Sequence, residues 1–315
     1  MRRHRARGIA LLTALWVTML LAVITTALLS STRTEVHLAR NIYDAARARA
    51  AAEAGVSLAI KALVDDDIGL RRWDGRPRVA MFGPARLTTS IQDEAGKIDI
   101  NVAEGEILRR LFDMAGIQPD RARTVAQSIV DWRDKDDARQ PNGAEIDNYH
   151  AAGMVYGPRN GPFETLNELR LVLGVRADIL RVAGRYLTVT TGSKQVDPVT
   201  APVEVLLALP GVTYEQAAAI VGARESIDGG TAAETRLRLP PLASTTAPYL
   251  GQSRRDAYTV EVRADTDTGA IFVRRALVTI DRRNDPPFWL VSWEQGEVSF
   301  FELLPVSKSR TEMGN

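Results

Sequence analysis

Residues 8–32 carry no charge, and this run constrains the chain more than any other feature of it. It follows a short basic prefix, Met1-Arg2-Arg3-His4-Arg5-Ala6-Arg7. Its centre, Ile9-Ala-Leu-Leu-Thr-Ala-Leu-Trp16-Val-Thr-Met-Leu-Leu-Ala-Val-Ile24, supplies the roughly 20 apolar residues that a helix needs to cross hydrocarbon. A secretory signal would have a shorter apolar core and a small-residue cleavage site behind it. Here no proline interrupts the chain before Pro77, and helix-forming residues continue directly out of the run. The span therefore reads as the first half of one long helix, with a plain signal anchor as the simpler alternative. Lys and Arg beside a span stay on the cytoplasmic side, so the C-terminal part is expected across the membrane. Thr13, Thr18, Thr25 and Thr26 are compatible with a span, because hydroxyls can bond the helix's own carbonyls.

The 315 residues have room for one membrane helix and about two compact domains. Lys and Arg number 40 against 39 Asp and Glu. Without the four arginines before Gly8 the balance becomes slightly acidic, which disfavours binding to phosphate backbones. There is no cysteine, hence no disulfide framework and no thiolate metal site.

From residue 35 to 64 the chain is rich in Ala, Arg, Glu and Leu. Val36, Ala39, Tyr43, Ala46, Ala50, Ala54, Leu58 and Ala62 recur at three- and four-residue steps and predict one apolar stripe. An unbroken helix over 9–64 would be about 80 Å long at ~1.5 Å per residue. Gly55 is its expected weak point. Alternation and β-branching predict strands over 86–92, 97–101, 257–263, 271–280 and 288–293. Between them, from Glu104 to about Arg224, the period is helical. The expected class is α+β, with the long N-terminal helix on a small antiparallel sheet and a large all-α domain inserted into it. The boundaries read as 1–8 basic leader, 9–64 long helix (in the membrane to about residue 32), 65–101 and 253–305 body, 102–252 inserted helical domain with its exit loop, and 306–315 tail.

The helical block repeats weakly. Ala115-Gly-Ile-Gln-Pro-Asp-Arg-Ala resembles Pro210-Gly-Val-Thr-Tyr-Glu-Gln-Ala, with Gly174-Val-Arg-Ala-Asp a fainter third copy. Such units look like helix-hairpin-helix or sterile-alpha-motif-like modules, some of which hold phosphates on backbone N–H groups. A membrane-anchored periplasmic DNA-binding protein is therefore the alternative reading. Against it, Thr213 stands where that hairpin has its second glycine, and a capping role explains it. Catalysis has little support: His4, His37 and His150 are the only histidines, no nucleophile has an evident paired base, and no phosphate loop appears. A non-enzyme is expected.

The strongest chemical signal is Asp131-Trp-Arg-Asp134-Lys-Asp136-Asp137-Ala-Arg-Gln-Pro-Asn-Gly-Ala-Glu145-Ile-Asp147-Asn148-Tyr149. Six carboxylates and two asparagines fall within nineteen residues. Ca²⁺ takes about six to eight oxygens from flexible loops, and this segment offers them, although its spacing is not that of an EF-hand. A solvated acidic loop, with the acids paired to Arg133 or Arg139, accounts for the same composition.

In combination these features resemble a type IV pilin-like protein: a basic leader ending in glycine, an apolar helix starting at once, and Arg47-Ala-Arg-Ala-Ala-Ala-Glu-Ala-Gly55 further along. The resemblance implies cleavage by a prepilin peptidase after Gly8 and methylation of Ile9. Most of that family has glutamate at the fifth mature position, where Thr13 stands. The group lacking it is the minor pseudopilin of type II secretion called general secretion pathway protein K. A buried acid in lipid needs a partner from the preceding subunit, and a subunit at the tip has none beyond it. Asp131-Trp-x-Asp134-x-Asp136, Gly143-Ala-Glu145, Tyr149 and Asn160-Gly-Pro-Phe-Glu-Thr-Leu-Asn-Glu-Leu169 look like that group's signature. The resemblance implies one or two Ca²⁺ ions in the helical domain, with Asp134, Asp136 and Glu145 the best ligands and Asp131, Asp137, Asp147 and Asn148 further candidates. It implies a single-pass bacterial inner-membrane protein with a periplasmic domain. Its expected partners are other minor pseudopilins, the major pseudopilin, the peptidase and secreted cargo, with no nucleic acid.

Overall fold

The computed structural model describes residues 6–65, 73–225, 232–241, 243–252 and 256–297, with side chains of the first helix described at 11–26 and from 35 onward. Residues 1–5 of the expected leader, 298–305 of the expected body and the tail 306–315 lie outside the described residues. So do the side chains of Gly8 and Ile9, which fall within the first helix.

Helix α1 (Ala6–Val64) is continuous over 59 residues and ends where the helical composition does. Among the described residues no helix is long and apolar enough to cross a membrane; within the uncharged run, described side chains cover only 11–26. Those side chains pack on nothing. Leu11, Leu12, Leu15, Trp16, Met19 and Leu20 are all exposed. Three hydroxyls in this stretch are satisfied inside the helix, Thr18 on the Leu15 carbonyl (2.9 Å), Thr25 on Leu21 (2.7 Å) and Thr26 on Ala22 (2.7 Å).

The second half of α1 lies on an antiparallel sheet. Strands β1 (Arg78–Phe82), β2 (Ala85–Asp93), β5 (Ala257–Asp265), β6 (Ile271–Ile280) and β7 (Phe288–Gln295) pair in the order β1-β2-β5-β6-β7. Alternation buries Leu87, Ile91, Val260, Val262, Ala276 and Val278 against the helix, as a one-sided antiparallel sheet requires. The face α1 presents is Ala48, Ala52, Val56, Ala59, Ile60 and Leu63. This corrects the expected stripe, since Val36, Tyr43, Ala46, Ala50 and Leu58 are exposed. Alanine occurs all round this helix, so periodicity alone could not choose the side. Close approach chose it. A Cβ at Gly55 would stand 2.6 Å from Val262 Cγ1 and 3.2 Å from Leu87 Cδ1, so the glycine is where helix and sheet touch. Two further strands are short: β3 (Ile98–Asp99) pairs in parallel with β4 (Leu187–Thr188) and stays out of the main sheet, where a longer strand over 97–101 was expected. Strand β1 was not anticipated, being exposed along its whole length and so without alternation.

Between β3 and β5 lie helices α2 (Gly105–Met114), α3 (Pro119–Arg133), α4 (Ile146–Ala151), α5 (Ala177–Tyr186), α6 (Val203–Ala208), α7 (Tyr214–Glu225) and α8 (Ala232–Leu237). They enclose a second core around Leu108, Leu111, Phe112, Val125, Ile129, Tyr149, Ile179 and Leu206. The weak repeat is a repeat of turns. Gly116, Gly174 and Gly211 all have positive φ and precede α3, α5 and α7. At the first of them the Ile117 N–H reaches back to the Phe112 carbonyl at 3.0 Å, closing the helix C-terminus as a left-handed residue permits. At the third, Thr213 Oγ1 accepts from the Gln216 N–H (3.2 Å) while Gln216 Oε1 accepts from the Thr213 N–H (3.0 Å). Both turns are thus accounted for by helix capping.

A buried polar joint ties the helical domain to the sheet. Glu94 Oε1 receives Lys97 Nζ at 2.5 Å and the Thr259 hydroxyl of β5 at 2.6 Å. Both charged residues are buried, and burial pulls the Lys97 ammonium below its usual range. Beside them the Asp197 N–H donates to the Ala95 carbonyl (2.7 Å), Gln92 Nε2 to the Thr200 carbonyl (3.0 Å), and Arg275 of β6 to the Gly184 carbonyl (2.6 Å). The joint lies at the end of the sheet where α1 finishes, for Arg282 just beyond β6 holds the Leu63 carbonyl at 2.8 Å. The opposite end, near Asp267 in the β5–β6 turn, meets Arg47 at 3.3 Å. The exposed apolar half of α1 and the helical domain are therefore at opposite ends of the body.

Replacing Lys97 by Met should destabilise the protein by about 3–5 kcal/mol, because it leaves a buried carboxylate without its charge partner. The double variant Lys97→Met/Glu94→Leu should recover most of that in denaturant unfolding. Gly55→Leu should cost about 1–3 kcal/mol by forcing helix and sheet apart, read as a lowered melting temperature.

Candidate metal centre

The acidic segment begins in the last turn of α3 and runs to α4. Trp132 anchors it below, with ring centroids 6.0 Å from Tyr149 and 6.1 Å from Phe163. Asp131, beside it, is fully buried and accepts the Gln140 N–H at 3.2 Å, which folds the loop back over the helix end. Gly143 completes that fold, since a Cβ there would lie 2.0 Å from Asp131 Oδ2. The next residue but one, Glu145, is buried where α4 begins.

The arginine nearest in sequence does not neutralise these acids. Arg133 turns away and gives its guanidinium to the carbonyls of Ile100 and Ala103. Among the described residues none of Asp131, Asp134, Asp136, Asp137, Glu145 and Asp147 forms a salt bridge. Glu145 is pushed up to about 7, first by burial and then by the charges of Asp131, Asp134, Asp137 and Asp136. Asp134 is raised by burial and by Asp136 and Asp131, and Asp131 chiefly by burial. Five of the expected residues therefore share one locus. Both oxygens of Glu145 and Oδ1 of Asp134 are buried with no hydrogen-bond partner.

The remaining two candidates stand apart. Asp147 is exposed in the first turn of α4, and Asn148 uses its Oδ1 to accept the Glu145 N–H at 3.1 Å, which starts the helix. A further oxygen comes from a residue the acidic run does not contain. Asn160 adopts φ 52°, donates its N–H to the Trp132 carbonyl (3.0 Å) and its Nδ2 to Asp137 (3.2 Å), and keeps Oδ1 buried and unpaired. Asparagine before Gly-Pro is a signal for that left-handed turn, although nothing in sequence spacing carries it to the acidic loop. Among the described residues no group of three or more His, Cys, Asp or Glu side chains is placed so that it could hold a metal ion. What converges is an all-oxygen set with unsatisfied lone pairs and mutual repulsion, the donor chemistry of a hard cation such as Ca²⁺.

A long helix on an antiparallel sheet with a helical domain set into it is a fold shared with a solved protein. A chain from the crystal structure of the GspK-GspI-GspJ complex of the enterotoxigenic Escherichia coli type 2 secretion system matches over 84% of this chain and 99% of its own, with a TM-score of 0.55 and 17% identity. The sequence model of the family "Type II secretion system (T2SS), protein K" matches residues 87–192, which hold most of β2 and the acidic loop. Type II secretion system protein K of Klebsiella pneumoniae is 27% identical over 196 residues, covering 55% of this chain and 60% of that protein. Its namesake in Pectobacterium carotovorum is 31% identical over 151 residues, 45% of this chain and 46% of that one. The matched part thus spans under two thirds of these relatives. The chain thus resembles protein K of the type II secretion system in the sequence of this region and in its fold.

The raised Glu145 sets a pH dependence. An acid whose folded pKa is about 7 against about 4.5 unfolded stabilises the fold fully below 4.5 and loses that contribution as pH rises to 7. With divalent cations chelated, stability should therefore fall across pH 4.5–7, by up to about 3 kcal/mol. Glu145→Gln should flatten the profile in urea unfolding.

Proposed function

We propose that this chain is a minor pseudopilin at the tip of a type II secretion pseudopilus, initiating or capping assembly for export across the outer membrane, with a structural and not a catalytic role. One observation carries the reading: the helical domain is fixed by a buried joint to the end of the body away from the exposed apolar helix. A subunit anchored in the inner membrane through residues 9–32 would present that domain outward, and its bulk would block a subunit above it. The exposed apolar side chains of 11–24 and the internally bonded threonine hydroxyls suit a lipid environment. Cleavage after Gly8 by a prepilin peptidase, methylation of Ile9, and a periplasmic domain belong to the same proposal. The solved GspK-GspI-GspJ complex suggests two other minor pseudopilins as partners, and the major pseudopilin and cargo follow from a tip position.

Ca²⁺ in the acidic loop is part of this reading. Asp131, Asp134, Asp136, Asp137 and Glu145 would hold the ion, with Asn160 beside them, and the ion would cancel their repulsion. Its contribution is to the rigidity of the helical domain.

Gold label on this subunit should appear at one end of assembled pseudopili; label along the filament would refute a tip position. The membrane-extracted protein, made with its peptidase, should have a mass starting at methylated Ile9, and an uncut Met1 chain would sink the processing claim. Calcium should raise the melting temperature and a chelator lower it, while the Asp134→Asn/Glu145→Gln variant should show no calcium shift.

A further inference from the structure

The acidic locus and the joint are connected by one short segment, residues 97–103. Its first residue belongs to the joint: Lys97 Nζ lies 2.5 Å from Glu94 Oε1 and 3.2 Å from the Thr259 hydroxyl. Next comes β3, paired with β4, and the Ile100 N–H extends that pairing by donating to the Thr188 carbonyl at 2.9 Å. Asp99 pins the segment further. Its Oδ2 accepts the Thr191 hydroxyl (3.0 Å) and the Gly192 N–H (2.7 Å), and its Oδ1 accepts the Asn101 N–H (2.9 Å).

The far end of the segment is gripped twice from the acidic locus. Arg133, which stands between Asp131 and Asp134 in the chain, holds the Ile100 and Ala103 carbonyls. Asn101 makes the second grip. Its Oδ1 accepts the Phe163 N–H at 2.7 Å, and its Nδ2 donates to the Phe163 carbonyl at 3.0 Å. One side-chain amide thus satisfies both main-chain groups of a buried residue, as a neighbouring strand would. Phe163 follows Asn160 in the same arm of chain, and Asn160 reaches the Trp132 carbonyl with its N–H and Asp137 with its Nδ2. The Asn160 Oδ1 is buried and unpaired, as are both oxygens of Glu145, a residue only 6% exposed. Both arms of the locus, the end of α3 and the stretch after Asn160, therefore finish on the turn that leads into the joint.

We propose that Asn101 couples the acidic loop to the joint, so that Ca²⁺ held by the loop also tightens the seam between the helical domain and the sheet. This coupling presupposes Ca²⁺ in the acidic loop and gives it a second effect. The acids repel one another until their charge is cancelled. Carboxylates and the Asn160 oxygen can share one hard cation only by closing on it. Closure pulls on residues 160–163, and the two Phe163–Asn101 bonds carry that pull to residues 97–103. A continuous run of bonds between two sites is read as a coupling free energy. The orientation of the helical domain on the body, and not only that domain's own rigidity, thereby becomes dependent on calcium.

The test is hydrogen–deuterium exchange of the full chain in detergent, with calcium in excess or with a chelator. Calcium should slow peptides from 134–148, and should also slow those from 94–103 and 195–201 by at least about fivefold. In Asn101→Ala, calcium should still slow 134–148, while its effect on 94–103 and 195–201 should fall below about twofold. An Asn101→Ala chain whose joint exchanges faster but still responds to calcium as the natural chain does would overturn the proposal, since that is a structural role alone. So would a natural chain in which calcium slows 134–148 and leaves 94–103 and 195–201 unchanged, a result that requires no variant to fold. Absence of any calcium effect at 134–148 would instead overturn the calcium site itself, and the coupling with it.

Discussion

The Glu94–Lys97 pair is the constraint on which the arrangement of this protein depends. Two charges buried together are weakly stabilising at best, but they are demanding about geometry. Here the carboxylate also takes the hydroxyl of Thr259 from β5, so the start of the helical domain is keyed to one position on the sheet. The neighbouring bonds, from the Asp197 N–H to the Ala95 carbonyl and from Gln92 Nε2 to the Thr200 carbonyl, would be hard to satisfy at any other relative orientation. Apolar packing alone would let two cores slide. This joint does not.

The acidic loop works by the opposite logic. It gathers like charges and leaves them unpaired, with the nearest arginine committed to carbonyls elsewhere. Such a loop stores a need for a proton or a cation. Asp131 and Gly143 set its shape before any ion is present, because the loop can close over the helix end only where there is no Cβ. Shape and charge are thus assigned to different residues of one short segment.

Much of this architecture could be read from the chain because its signals were local. Strand β6 was read at its observed bounds, and β2, β5 and β7 to within two residues at either end, because one face of each is apolar and the turns between them carry Gly, Pro or Asp. The glycine turns before α3, α5 and α7 were legible for the same reason. What failed was information held in tertiary context. The buried face of α1 was misread because alanine marks no side, and β1 was missed because an exposed edge strand has no alternation. At the acidic loop, composition singled out Asp131, Asp134, Asp136, Asp137 and Glu145, whose charges act on one another in the structure. It could not set Asp147 and Asn148 apart, since helix α4 turns them to other uses, nor bring in Asn160 from beyond a further turn.

The register of β2 against β5 has its own consequence. Asp93, the last residue of β2, lies directly opposite Tyr258 at the start of β5. The chain leaves and re-enters the sheet at adjacent positions, with the helical domain between them. That domain occupies the place of a simple hairpin connection. Its size is thereby uncoupled from the sheet, and the helical domain is free to be lengthened, trimmed or rebuilt without disturbing the body that carries it.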